Sequence, residues 1–236
     1  RLAFEKMFHM QHEVLCRKRE WQGEKQERLK MVMNPELIKS LFNSLKFTPT
    51  NSQKIAIYEI LKDMERDVPM SRLLEGDVGS GKTLVATGVI AHTIEHGGQV
   101  ALMVPTEVLA KQHVSSIGNM LIQFQKFLTM EGDTSTLPRH PTIALLTGSV
   151  PKGEAEAVRM RVATGTVDLV IGTHALITDS TQFHNLQLVI VDEQHRFGVE
   201  QRERLKAKGN PHFLTMTATP IPRTLALTAH GHHDLS

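Results

Sequence analysis

Two short stretches carry residue types at spacings that could do chemistry. The first is Gly76-Asp77-Val78-Gly79-Ser80-Gly81-Lys82-Thr83, which fits the pattern G-x-x-x-x-G-K-[ST]. Glycines there let backbone amides turn onto phosphate oxygens without Cβ clashes, and a helix starting at the lysine adds its positive end. Lys82 is placed to reach the β- and γ-phosphates of a nucleotide, and the Thr83 hydroxyl to complete a Mg²⁺ shell. The second stretch is Asp192-Glu193-Gln194-His195, directly after the apolar run Leu188-Val189-Ile190-Val191. An acid pair at a strand's carboxyl end suits one carboxylate, Asp192, to hold Mg²⁺ through water, and the other, Glu193, to polarise an attacking water. The guanine-reading string Asn-Lys-x-Asp does not occur, so the expected nucleotide is ATP, with Mg²⁺.

These residues need a scaffold that brings them to one edge. Short runs that are apolar throughout lie at Leu73-Leu74, 100–104, 143–146, 169–171, 188–191 and 213–216, the pattern of strands buried on both faces. Helical spacing fills 35–45, 51–66, 82–96, 107–127, 153–163 and 199–207. That alternation predicts an α/β fold with a mainly parallel sheet flanked by helices. Residues 1–33 read as a further helix; its Arg17-Lys18-Arg19 is expected to be a solvated face. The stretch 131–141 reads as a polar loop.

Composition narrows the class. The 236 residues are 40% hydrophobic, enough for a packed core. With 27 basic and 25 acidic residues the net charge is +2, so any nucleic-acid contact has to come from a local patch. A single cysteine, Cys16, excludes a disulfide framework and a multi-cysteine zinc site. No apolar run reaches the ~18 residues of a membrane span, and none is expected. The first residues, Arg1-Leu2-Ala3-Phe4-Glu5, lack an initiator Met and a signal-peptide apolar region, and read as a piece of a longer chain. His230, His232 and His233 are expected to be a tail rather than a metal site, because no carboxylate or cysteine pattern closes one.

Taken together, GDVGSGKT, DEQHRFGVEQR and MTATPIPRTLALT closely resemble the RecG family of superfamily-2 DNA helicases. VALMVPTEVLAKQH, LTGSV and VIGTHAL extend the resemblance across essentially the whole chain. The transcription-repair coupling factors are the nearest relatives; they typically carry Phe where Ser80 stands and Glu where Gln194 stands.

The resemblance implies a RecA-like fold over 47–236, the first motor lobe, with 1–46 a helical extension from a preceding domain. It places Phe47 and Gln53 at adenine. A glutamine amide donates and accepts together, which suits that base, although Gln53 also reads as a polar residue in a helix's first turn. Gln194 and His195 join the nucleotide site with Gly76, Gly79, Ser80, Gly81, Lys82 and Thr83. Thr106, Glu107, Thr173 and His174 fall in loops that touch the DNA backbone in superfamily 2. Thr217, Ala218 and Thr219 fall in the motif that links nucleotide state to DNA grip. A second RecA-like lobe supplying an arginine finger, an N-terminal wedge domain, branched or duplex DNA as partner, and a bacterial cytoplasmic setting are implied in the same way. Two other readings remain open at this point: a binding module without turnover, and a coupling-factor-type translocase.

Overall fold

The computed structural model describes residues 30–132, 140–192, 204–205, 208–218 and, as backbone, 234–235. Five helices are described: α1 (Pro35–Ser44), α2 (Asn51–Met64), α3 (Lys82–Glu95), α4 (Glu107–Glu131) and α5 (Lys152–Ala163). Seven strands are described: β1 (Ser71–Glu75), β2 (Gln99–Met103), β3 (Ile143–Leu146), β4 (Leu169–Gly172), β5 (Leu186–Asp192), β6 (His212–Thr217) and β7 (Asp234–Leu235). They form one sheet in the order β3-β4-β2-β5-β6-β1-β7, every pairing parallel.

The expected strands all form, and the side-chain period of two explains why both faces had to be apolar. On β5, Leu188 and Ile190 join one core, with Leu102 of β2 and Leu214 of β6. Val189 and Val191 join the other, with Met103 and Phe213. Helices α1 to α4 cover the first face. Helix α5 and the 3₁₀ turn His174–Leu176 contribute to the second.

The helix starts follow from local chemistry. Asn34 caps α1 by accepting from the N–H groups of Glu36 and Leu37, with Pro35 in the first turn. Thr50 and Gln53 form a reciprocal capping box on α2. Helix α4 runs one turn past the expected 127, to Glu131, and stops where Gly132 adopts φ 75°. The expected helix over 199–207 lies largely outside the described residues, as does the one over 1–33. The tail is not wholly irregular: Asp234–Leu235 pairs beside Arg72 and Leu73 as an edge strand.

One polar network lies under the sheet. Arg72 on β1 is buried, and its guanidinium donates to Asp63 and, at 2.7 Å, to Glu59, both on α2. Removing one partner of a buried pair leaves a charge without compensation, at a cost of about 3–5 kcal/mol. Asp63→Ala leaves Arg72 its Glu59 partner, so a loss near the low end, about 3 kcal/mol, is expected to lower Tm by roughly 6–12 °C, at ~2–4 °C per kcal/mol for a chain of this size. A calorimetric scan checks this, and an unchanged Tm would show the network to be dispensable.

Candidate active site

The phosphate loop leaves β1 after Glu75 and enters α3 at Lys82. Two of its glycines have to be glycine. Gly79 and Gly81 hold φ of 84° and 86°, and a Cβ on Gly81 would lie 2.3 Å from the Gln53 Nε2. Space is equally short at Gly76, where a Cβ would lie 2.7 Å from the Ser80 hydroxyl oxygen. Gly81 is also the N-cap of α3 and supplies no side-chain cap; its carbonyl accepts the Leu84 N–H at 2.9 Å, and the Lys82 and Thr83 amides are left to other acceptors. The Lys82 ammonium donates to the Gly76 carbonyl at 2.5 Å and the Asp77 carbonyl at 2.9 Å. Those two bonds hold the cation over the loop, and its third N–H is left to meet an anion.

Gln53 fills both roles its sequence position suggested. Its Oε1 accepts the Thr50 N–H at 2.9 Å, which completes the helix cap. Its Nε2 donates to the Ser80 carbonyl at 2.8 Å, which ties α2 to the phosphate loop. One amide N–H and one oxygen lone pair remain for a base. Phe47 is half-exposed, on the rim of a groove of about 740 Å³ between α1 and α2, with Lys54 and Tyr58.

Asp192 ends β5 and Thr217 ends β6, the strand between β5 and β1. The Gly76 N–H donates to the Thr217 carbonyl at 3.3 Å, so the phosphate loop begins on the backbone of the expected coupling motif. Ala218 follows it, partly exposed. Asp192 itself is held from the other side. Its Oδ2 lies 2.9 Å from Nε2 of His113, a nearly buried residue of α4. A carboxylate only accepts, so Nε2 carries the proton. His113 closes the string VALMVPTEVLAKQH, but nothing in its spacing pointed to Asp192, 79 residues away. The Thr83 hydroxyl and the Asp192 carboxylate are hard oxygen donors of the kind Mg²⁺ takes, and the glycine cradle with Lys82 suits a triphosphate. Glu193, Gln194, His195 and Thr219 lie outside the described residues.

The remaining loops gather at the same carboxyl edge of the sheet. Thr106 follows β2 and caps α4, accepting the Leu109 N–H. Glu107 accepts the Ser149 N–H at 2.9 Å. The Ser149 hydroxyl, and then its N–H, hold the Glu107 carboxyl below the usual carboxylate range. Thr173 follows β4, donates its N–H to the Leu146 carbonyl at 3.3 Å and opens the turn that contains exposed His174. The loops after β2, β3 and β4 are thus joined through Glu107–Ser149 and Thr173–Leu146.

The profile of the DEAD/DEAH box helicase family matches residues 50–228. The chain is 44% identical over 239 aligned residues to the ATP-dependent DNA helicase RecG of Aquifex aeolicus, covering 100% of this chain and 28% of that protein. It is 48% identical over 204 residues to RecG of Bacillus subtilis, covering 86% of this chain and 28% of that protein. Among solved structures, RecG bound to a three-way DNA junction superposes with a TM-score of 0.77 at 38% identity, over 100% of this chain and 29% of that one. The yeast DEAD-box splicing factor Prp28, at 18% identity and a TM-score of 0.62, shares the fold. The chain spans about 28% of the length of the RecG relatives it matches.

Two outcomes are expected. Lys82→Ala is expected to weaken ATP binding at least roughly 30-fold in a fluorescent-nucleotide titration, since the loop loses its only lysine, and unchanged affinity would remove Lys82 from the site. His113→Ala frees the Asp192 carboxylate to turn. It is expected to raise the Mg²⁺ concentration needed for tight nucleotide binding by roughly tenfold, the scale of an outer-shell loss, while binding in EDTA stays as in wild type. Equal Mg²⁺ dependence in the two proteins would make His113 a packing residue only.

Proposed function

The chain belongs to the DEAD/DEAH box helicase family, and from that premise we propose that it is the ATP-binding first motor lobe of a RecG-like ATP-dependent DNA helicase. The observation that carries this reading is the match, along the whole chain, to RecG bound to a three-way DNA junction. The lobe occupies 47–236, and 1–46 is the connection from a preceding domain. The parent acts on branched or duplex DNA, stalled forks and Holliday junctions, in recombination and repair, in the bacterial cytoplasm. No helix among the described residues is long and apolar enough to cross a membrane.

The division of labour follows the strand order. On the β1, β6 and β5 side, the phosphate loop holds ATP and Lys82 meets its terminal phosphates. Gln53 carries the base end and the loop on one side chain, with Phe47 at the adenine. Thr83 and Asp192 would hold Mg²⁺, which would supply positive charge to offset that on the transferring phosphoryl group. Glu193 polarises the water, and Gln194 and His195 complete the nucleotide side. On the β2, β4 and β3 side, the Thr106 and Thr173 hydroxyls and nearby amides contact DNA phosphates without reading bases, together with His174. Glu107 serves that surface by holding the Ser149 loop, because its own carboxylate repels phosphate. Thr217, Ala218 and Thr219 connect the two sides. The arginine finger comes from the second RecA-like lobe of the parent chain, and an N-terminal wedge domain opens the branch.

A split between binding and turnover tests this scheme. The 236-residue chain is expected to bind ATP and hydrolyse it at least ~10³-fold more slowly than the parent, the scale of an absent arginine finger. Glu193→Gln in the parent is expected to keep ATP binding and lose DNA-stimulated hydrolysis. Normal turnover in that variant would reassign the water-polarising group, and parent-like turnover by the isolated chain would place the finger within it.

A further inference from the structure

Helix α3 has a second polar end, far from the phosphate loop. His92, Glu95 and His96 occupy positions i, i+3 and i+4 of its last turn, which sets all three on one face. His92 is fully buried, yet neither of its ring nitrogens has a hydrogen-bond partner, and the buried Oε2 of Glu95 has none either. An imidazole taken from water without a partner on either nitrogen is unfavourable, and such groups call for a ligand. The Nδ1 of His92 stands 3.6 Å from that unpartnered Oε2. The two imidazole rings stack at a tilt, with centroids 4.5 Å apart. One ring nitrogen from each histidine and one Glu95 oxygen all lie within 4.8 Å of one another.

The surroundings orient these donors. The other Glu95 oxygen accepts from the Asn34 side-chain amide at 2.5 Å. The Nδ1 of His96 lies 2.9 Å from the His92 carbonyl and 3.7 Å from the Glu95 Oε2, and when Nδ1 donates to that carbonyl the lone pair sits on Nε2. Metal-ligating histidines and carboxylates are commonly held by partners of this kind. Glu65, engaged by Lys62 and by the Met33 N–H, both at 2.8 Å, is the other acid whose charge reaches His92. A helix's carboxyl end also favours a cation.

We propose that His92, Glu95 and His96 form a Zn²⁺ site, with water in the fourth position. Two imidazoles and one carboxylate are a ligand set that zinc takes in tetrahedral geometry. The site is separate from the ATP chemistry. It pins the distal end of the phosphate-loop helix to Asn34, the N-cap of α1 within the segment 1–46 that precedes the lobe. Zinc here therefore stabilises that junction and takes no part in hydrolysis.

The test uses the 236-residue chain, stripped with a chelator, dialysed against zinc sulfate and assayed for bound metal by mass spectrometry. Three variants accompany it: His96→Gln, Glu95→Gln, and the triple change of His230, His232 and His233 to Ala. The first two alter partly exposed side chains, and far-UV circular dichroism checks that they fold; buried His92 is left untouched. One zinc per chain is expected in wild type and in the triple variant. Zinc affinity should fall at least roughly 30-fold in the other two, the range of a lost ligand or its support. The cobalt-substituted chain should show tetrahedral visible bands that His96→Gln abolishes. Zinc should raise Tm in wild type and leave Tm of His96→Gln unchanged. Zinc lost with the triple variant, retained in both helix variants, or absent from wild type would overturn the proposal.

Discussion

Parallel pairing of β1 with β6 and of β6 with β5 is the constraint from which the site follows. Parallel strands end at the same edge, so the phosphate loop after Glu75, the backbone of Thr217 and the carboxylate of Asp192 are delivered side by side. Adjacent strands sit about 4.8 Å apart, and two such steps separate β1 from β5. The Gly76–Thr217 hydrogen bond extends the β1–β6 pairing past the last residue of β1. The loop therefore starts from a fixed backbone, and its glycines need only supply the turn.

The same order divides the edge into two territories. Strands β2, β4 and β3 continue the sheet beyond β5, and their loops carry Thr106, Ser149 and Thr173. The territories meet where β5 lies next to β2, and His113 bridges them there. It stands on α4, the helix that Thr106 caps, and holds the acid that ends β5. A shift of α4 is thereby a shift of the Asp192 carboxylate. Gln53 does the equivalent work on the far side, where capping α2 and gripping Ser80 are done by one side chain.

What was legible in the sequence was local. Strands buried on both faces declare themselves as unbroken apolar runs, and all six such runs formed strands. The phosphate loop is legible because left-handed turns and close approaches select glycine. Helix α4 runs past 127 because Leu128 still reaches the core, and the exposed Thr129, Met130 and Glu131 continue the helix until Gly132 ends it. Strand β7 has two residues, too few to show a period. Illegible too were contacts between residues distant in the chain, such as His113 with Asp192: the acid is marked by its place at a strand end, but nothing local says which residue holds it. Cysteines and terminal histidines are the conspicuous ligand types in the sequence, whereas His-x-x-Glu-His at 92–96 sits inside a helical pattern that reads as packing alone.

Helix α3 is the element on which these threads converge. Its first turn has no side-chain cap and opens on the phosphate loop, while its last turn and C-cap gather two imidazoles and a carboxylate. The helix dipole favours an anion at the first and a cation at the second, so the two ends ask for opposite charges for one reason. Its middle is buried from Leu84 to Thr93, and Gly88 admits Ile57 of α2 and Leu41 of α1 against its backbone. A helix packed this closely along its length moves as a rigid rod. Whatever fixes the Asn34 end therefore limits how far the Lys82 end can travel when nucleotide binds. Through that geometry the segment around Asn34 is mechanically connected to the phosphate loop.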